Sequence, residues 1–231
     1  MPMLDELKSE VYRANLQLVR HGLVTLTWGN VSGREPASNL VVIKPSGVSY
    51  ERMQPEQMVV VDLQGKVVDG KLKPSSDTPT HLELYRRFPS IGGVTHTHST
   101  HATMFAQARC EIPCLGTTHA DHFHGPVPLT RALTAKEVAD DYELNTGRVI
   151  AERFADLDPV AVPGVLVAGH GPFAWGKDAG GSIENAVVVE AVARIAFGTL
   201  QINPDAPLLE SYVLEKHYNR KHGPGAYYGQ P

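Results

Sequence analysis

The chain is poor in features that mark whole classes of protein. It has two cysteines, Cys110 and Cys114, too few for a disulfide framework or a four-cysteine zinc site, and both read as reduced, mostly buried thiols. No uninterrupted apolar run is long enough to span a bilayer. Met1 to His21 are charged and amphipathic where a secretory leader would be apolar, so no membrane partner and a cytoplasmic location are expected. A basic excess is also missing: 21 Lys and Arg stand against 25 Asp and Glu, a net charge of −4. That leaves no positive field to hold a nucleic-acid backbone, while small anions remain open as ligands of local sites. Internal repeats, low-complexity tracts and linkers are absent too. What remains is 231 residues, 42% of them hydrophobic, with strand-like and helix-like segments mixed throughout. This suits one layered α/β domain over residues 1–231.

Histidine is the residue the chain places with purpose. In Gly92-Gly93-Val94-Thr95-His96-Thr97-His98-Ser99, the β-branched residues read as a strand, and alternation sends His96 and His98 to one face. Ser99 is a plausible N-cap and residues 101–108 have helical composition, so the pair sits at the strand's C-terminal end, where open sheets keep ligands. Two hydrogen-bonded core histidines would be the plain alternative. The spacing at a strand-to-helix junction, with further histidines elsewhere, favours a metal. Val165 to Ala168 form another β-branched strand leading into Gly169-His170-Gly171, whose glycines let the backbone approach a site closely, and His170 is the natural third imidazole. Three nitrogens leave a zinc ion one open position, the mark of a catalytic site.

Elsewhere the pattern is mostly ordinary. Leu4, Leu7, Val11, Ala14 and Leu18 recur at helical spacing, with Gly22 where a helix would end. Leu23 to Trp28 alternate as a strand stopping at a turn, Gly29-Asn30-Val31-Ser32. Leu40 to Ile43 form a strand that runs into Lys44-Pro45-Ser46-Gly47, where a cation, a hydroxyl and an opened backbone could grip a phosphate, although the motif alone is weak. Residues 58–68 read as a hairpin turning at Gln64-Gly65. Thr78-Pro79 look like N-cap and first residue of a helix to about Phe88. Asp77, just before, either favours that helix's positive end or aims its carboxylate at a metal or a proton.

Residues 115–125 hold His119, Asp121, His122 and His124, a polar density greater than a connecting loop needs. Each histidine there is best read as solvated or capping, and Asp121 as the proton acceptor. Glu137, Tyr142 and Glu143 read as solvent-facing residues of a charged helix. Ser182 to Leu200 form the longest helix, with no catalytic role. The basic, aromatic segment from Lys216 to Gly229 should dock on something, a second subunit included.

Several of these motifs, in this order, resemble the L-ribulose-5-phosphate 4-epimerase family within the class II aldolase and adducin-like fold. They are residues 26–32, 43–47, 73–81, 96–98 and 116–121, then His170-Gly171-Pro172-Phe173-Ala174-Trp175-Gly176, and the ending from His217-Tyr218 to Tyr227-Tyr228-Gly229-Gln230. The resemblance spans nearly the whole chain. It implies a three-layer α/β/α domain on a mixed, largely antiparallel sheet, a cyclic homotetramer, and active sites at subunit interfaces. It further implies zinc at His96, His98 and His170 with Asp77 close by or coordinating. Substrate and phosphate contacts would come from Gly29, Asn30, Lys44, Ser46, Gly47, Ser75 and Ser76. Asp121 and Tyr228 fall at the family's acid/base positions, Tyr228 crossing from a neighbour.

The implied chemistry is demanding in a way the residues answer. Inverting C4 of a 2-ketopentulose phosphate cannot proceed by simple deprotonation, because the C4 proton is not adjacent to the carbonyl. A redox route would need a dinucleotide, yet Gly223-Pro224-Gly225 lies at the C-terminal end with no helix after it. Zinc-assisted cleavage of the C3–C4 bond, followed by rejoining on the other face of the aldehyde, needs a metal, a phosphate anchor and proton-transfer groups. Two other readings remain: a class II aldolase that uses the same metal and phosphate site on another sugar phosphate and releases its fragments, and a non-catalytic aldolase-like interaction module.

Overall fold

The computed structural model describes residues 2–229; Met1 and the end of the C-terminal motif, Gln230, lie outside the described residues. Its centre is a seven-stranded sheet ordered β4-β3-β2-β1-β5-β7-β6. The strands are β1 (Gly29–Glu35), β2 (Leu40–Ile43), β3 (Val59–Val61), β4 (Val67–Asp69), β5 (Gly93–Thr97), β6 (Gly164–Leu166) and β7 (Pro172–Gly176). Every neighbouring pair is antiparallel. Helices α1 (Pro2–Arg20), α2 (Thr78–Arg87), α3 (Thr100–Ala108), α4 (Thr117–Ala120), α5 (Ala135–Arg153), α6 (Ala179–Ile202) and α7 (Ser211–His222) complete the chain. The architecture is the expected three-layer α/β/α fold. Among the described residues no helix is long and apolar enough to cross a membrane.

Alternation along the strands divides the core in two. On one face Val41, Val59, Val61, Val94, Phe173 and Trp175 pack with Leu82 and Tyr85 of α2 and Ile150 of α5. On the other, Val31, Val42, Val60 and Ala174 meet Val11, Ala14 and Leu18 of α1 and Ile183 and Ala186 of α6. Helix α6 also lends Val189, Val192 and Ala196 to the first core, as a helix apolar on more than one side must.

The stretch from Leu23 to Ser32 reverses the expectation. Residues 23–28 are irregular, with Leu26 in the left-handed region at φ 54 and Trp28 half exposed, and the strand begins at Gly29 where a turn was predicted. The glycines here serve close approach. A Cβ on Gly29 would come within 2.8 Å of the His96 carbonyl oxygen, and one on Gly33 within 2.9 Å of Val11, so these residues let β5 and α1 close onto the sheet. Asn15 completes the ladder by accepting from Val31 N–H at 3.0 Å and donating to its carbonyl at 3.1 Å.

Smaller corrections follow the same logic of tertiary context. The cap position of α2 is Asp77, one residue before the predicted Thr78. Ser99 does occupy the N-cap of α3, but its hydroxyl makes no cap bond, and the Glu190 carboxylate on α6 accepts from His101 and Ala102 N–H instead. Cys110 is exposed and only Cys114 buried. The C-terminal segment docks as α7 against α4 of its own chain.

Candidate metal centre

His96 and His98 end up on one face because β5 is regular up to Thr97 and the alternation carries one residue further. Their Nε2 atoms lie 3.1 Å apart. His170 reaches them from the β6–β7 hairpin, which pairs β7 against β5 so that Phe173 lies opposite His96 and stacks on its ring at 4.1 Å. The three imidazoles each offer a nitrogen, all within 4.8 Å of one another, with ring centres 4.7 to 5.0 Å apart.

These residues fit a bound cation on their own geometry. With the His96 Nδ1–H donated to the Pro172 carbonyl at 3.0 Å, its Nε2 carries only a lone pair, and that lone pair faces the second nitrogen at 3.1 Å. A backbone carbonyl on the far nitrogen is how metal-binding histidines are oriented. Burial, with the neighbouring His96 and His98 rings next, pushes His170 down to about 3. Burial also lowers His98. Both are therefore neutral imidazoles at physiological pH, the form that coordinates a metal.

Asp77 lies beside this centre, though its carboxylate is not among the three converging groups. Its carboxylate makes no cap bond to α2 and instead accepts from Asn30 Nδ2 at 2.6 Å. Asn30 is the direct cross-strand partner of His96. Burial would raise the Asp77 pKa, but the His96 and His81 imidazoles and the Asn30 bond outweigh it and hold the carboxyl below its ordinary value. Beneath lies the fully buried His81, its Nδ1 2.8 Å from Ser32 Oγ, which is itself 2.8 Å from the Tyr85 hydroxyl.

The triad opens into a cavity of about 540 Å³. Its walls contain all the residues singled out for metal and substrate: Gly29, Asn30, Lys44, Ser46, Gly47, Ser75, Ser76, Asp77, His96, His98 and His170. The loops bearing them are tied together, for Ser46 N–H donates to the Lys73 carbonyl and Ser75 N–H to the Lys44 carbonyl, each at 2.9 Å. Lys44 is 2% exposed. Its ammonium finds the Pro45 carbonyl at 3.3 Å and the Tyr50 ring face at 5.0 Å, but among the described residues no carboxylate pairs with it. Burial lowers its pKa. A buried, unpaired cation at the wall of a cavity is suited to receive an anion.

Two residues read from the sequence as solvent-facing also line this cavity, Tyr142 and Glu143. Helix α5 is broken at Asp141, at φ −162 and ψ 90, which swings them inward, and the Tyr142 hydroxyl lies 3.2 Å from His170 Nδ1. Nothing in the local pattern signals this kink.

Asp121 and Tyr228 lie outside the cavity. Asp121 is bound by Arg220, whose Nε and terminal nitrogen donate at 2.9 and 2.5 Å, and by His217 Nδ1 at 3.0 Å. Tyr228 is exposed, its ring face 5.0 Å from the Arg220 guanidinium and 4.4 Å from the Lys221 ammonium. His122 stands beside Lys221, His124 pairs with Glu215 at 2.7 Å, and His119 is buried at the end of α4.

An antiparallel sheet between helical layers, with three imidazoles converging beside a buried lysine, defines a class of protein. Residues 9–197 match the Class II Aldolase and Adducin N-terminal domain, and the chain belongs to that family. Among solved structures it is similar to an L-fuculose 1-phosphate aldolase, with 25% identity and a TM-score of 0.79 over 93% of this chain and 95% of that one. YgbL from Escherichia coli matches at 23% identity and a TM-score of 0.73, covering 92% of this chain and 97% of that chain. An aldolase II superfamily protein from Pseudomonas syringae matches at 14% identity and a TM-score of 0.78, covering 98% and 89%. The last two are likenesses of fold.

Proposed function

We propose that this protein is an L-ribulose-5-phosphate 4-epimerase, an isomerase that interconverts L-ribulose 5-phosphate and D-xylulose 5-phosphate by breaking and re-forming the C3–C4 bond, with zinc as the metal. The observation that carries the reading is the joining, in one cavity, of the imidazole triad and the unpaired buried ammonium of Lys44. The imidazoles suit a metal and the ammonium a phosphate.

His96, His98 and His170 would hold a divalent ion, which would supply Lewis-acid stabilisation of negative charge on the substrate's oxygens. The chain's own residues do the rest. Lys44, Ser46 and Gly47, with Ser75 and Ser76 across the tied loops, anchor the phosphate while the aldehyde turns over. Gly29 gives its backbone to the cavity wall, and Asn30 holds Asp77 beside the imidazoles. Asp121 and Tyr228 exchange the C4 hydroxyl proton from opposite sides, supplied to the cavity by a neighbouring copy in a homotetramer.

An aldolase that releases its fragments is the second reading, favoured by the 25% identity to an L-fuculose 1-phosphate aldolase over 93% of the chain. Both are tested by incubating metal-loaded protein with L-ribulose 5-phosphate and following the products. Epimerisation gives D-xylulose 5-phosphate without accumulation of free aldehyde. Build-up of dihydroxyacetone and glycolaldehyde phosphate would identify the aldolase; absence of any turnover of this substrate would overturn the epimerase, and the same assay with L-fuculose 1-phosphate then decides the aldolase reading.

A further inference from the structure

The geometry points to Tyr142 as a positioning residue that fixes the tautomer and aim of His170, so that metal affinity is set in part by a helix bearing none of the three imidazoles. This inference rests on the metal reading of the triad. His96 and His170 are built alike at their far nitrogens. The His96 Nδ1–H is held by the Pro172 carbonyl at 3.0 Å, and His170 Nδ1 has the Tyr142 hydroxyl at 3.2 Å. For the His170 Nε2 to present a lone pair to the triad, Nδ1 must carry the proton and donate it to the phenol oxygen, which leaves the phenol's own hydrogen free to donate elsewhere.

The two anchors differ in what fixes them. Pro172 belongs to the sheet, whereas Tyr142 is delivered by the break in α5. Before the break, the Thr134–Glu137 capping box and the Arg131–Glu137 ion pair at 2.7 Å fix the first turns. After it, Asp141 Oδ1 accepts from Leu144 N–H at 3.1 Å and restarts the helix with Tyr142 in its first turn. Asn145 Nδ2 then donates back to the Glu137 carbonyl at 2.8 Å, holding the two halves at their angle. Thr80 donates to the Glu143 carbonyl at 2.6 Å, which ties this turn to α2, the helix that Asp77 precedes. The phenol is thus as firmly placed as a ligand partner needs to be.

The test uses the full chain without substrate. Tyr142→Phe keeps the ring and removes only the hydroxyl. Cobalt(II) affinity, measured by competition with a chelator, should fall roughly 10- to 100-fold, as loss of an outer partner does, while thermal unfolding of the metal-free protein stays unchanged. Nitrogen NMR of the metal-free imidazoles, with His170 assigned by its absence in His170→Asn, should show the Nδ1–H tautomer in wild type and a mixture in Tyr142→Phe. Equal cobalt affinity with an unchanged tautomer in the variant would overturn the role of Tyr142. If wild type binds no cobalt, the metal reading itself falls, and the tautomer comparison still decides whether Tyr142 orients the ring.

Discussion

Asp121 and Tyr228 share one cation. Arg220 closes on both carboxylate oxygens of Asp121 and presents its guanidinium, 5.0 Å away, to the face of the Tyr228 ring. The two acid/base candidates therefore form one cluster, and that cluster is not part of the cavity containing the triad. A second copy can bring the cluster of one chain over the cavity of another, provided the contact is heterologous and closes into a ring.

Mixing two inactive variants tests this directly. His96→Asn loses the metal and Tyr228→Phe loses the phenol, so after subunit exchange some sites combine an intact cavity with an intact cluster. Activity should reappear, toward about one quarter of wild type on simple statistics for sites built from two randomly drawn chains. If labelled subunits demonstrably exchange and activity stays at zero, Tyr228 does not act in trans.

The same cluster should loosen in acid. Burial alone would raise the Asp121 pKa, but the bonds from Arg220 and His217 overcome it and hold the carboxyl below its ordinary value. A depressed carboxylate stabilises above its unfolded pKa of about 4 and loses that contribution as pH falls through the folded value. Below that point Arg220 and Lys221 face an uncharged acid and repel one another. Protection of the α7 amides, taken relative to the intrinsic exchange rate at each pH, should therefore be high at pH 6 and low near pH 3, and Asp121→Asn should show the low protection already at pH 6. Slow exchange in the variant would mean that α7 is held chiefly by other contacts.

Legibility in the sequence followed the range of the interactions involved. His96, His98 and His170 could be read because alternation and flanking glycines are local, and the same holds for the loop at Lys44. Helix α1 and strand β2 were legible for that reason as well. Gly29 misled because a glycine that admits a neighbouring backbone looks, in one dimension, like a glycine that turns a chain. Tyr142 and Glu143 were hidden because their direction is set by the break at Asp141 and by Thr80 from another helix. Asp77 was legible in position but not in purpose: only the Asn30 contact separates a carboxylate held beside the site from one capping a helix.

The choice of histidines can be checked without an assay. Trp28 lies 6.4 Å from His98 between ring centres, and the other tryptophan, Trp175, is wholly buried. Titrating cobalt(II) should quench fluorescence, and Trp28→Phe should remove most of the response. His96→Asn should weaken binding by more than the roughly 10- to 100-fold expected for loss of an outer partner, whereas His122→Asn, beside Lys221, should leave it unchanged. Equal weakening in the two variants would show that the wrong imidazoles were chosen.

Lys44 offers a prediction in which stability and binding move in opposite directions. Its amine is 2% exposed and has no carboxylate partner among the described residues, so keeping it charged costs folding energy. A lysine whose folded pKa lies below its unfolded value of about 10.4 carries that cost fully at neutral pH, and the cost fades as pH rises through the folded value. Lys44→Met keeps the stem and removes the charge. The ligand-free variant should therefore melt above wild type at pH 7, by about 2–4 °C for each kcal/mol recovered in a chain of this size, and the gap should narrow in alkaline buffer. Inorganic phosphate should raise the wild-type melting temperature and leave that of the variant unmoved, because binding to the folded state alone is what stabilises. On substrate, the KM for the phosphorylated ketose should rise roughly 10- to 100-fold with metal affinity preserved, while an unphosphorylated ketopentulose should be indifferent to the change. A variant that melts lower than wild type, or one that loses both sugars equally, would take the phosphate away from Lys44.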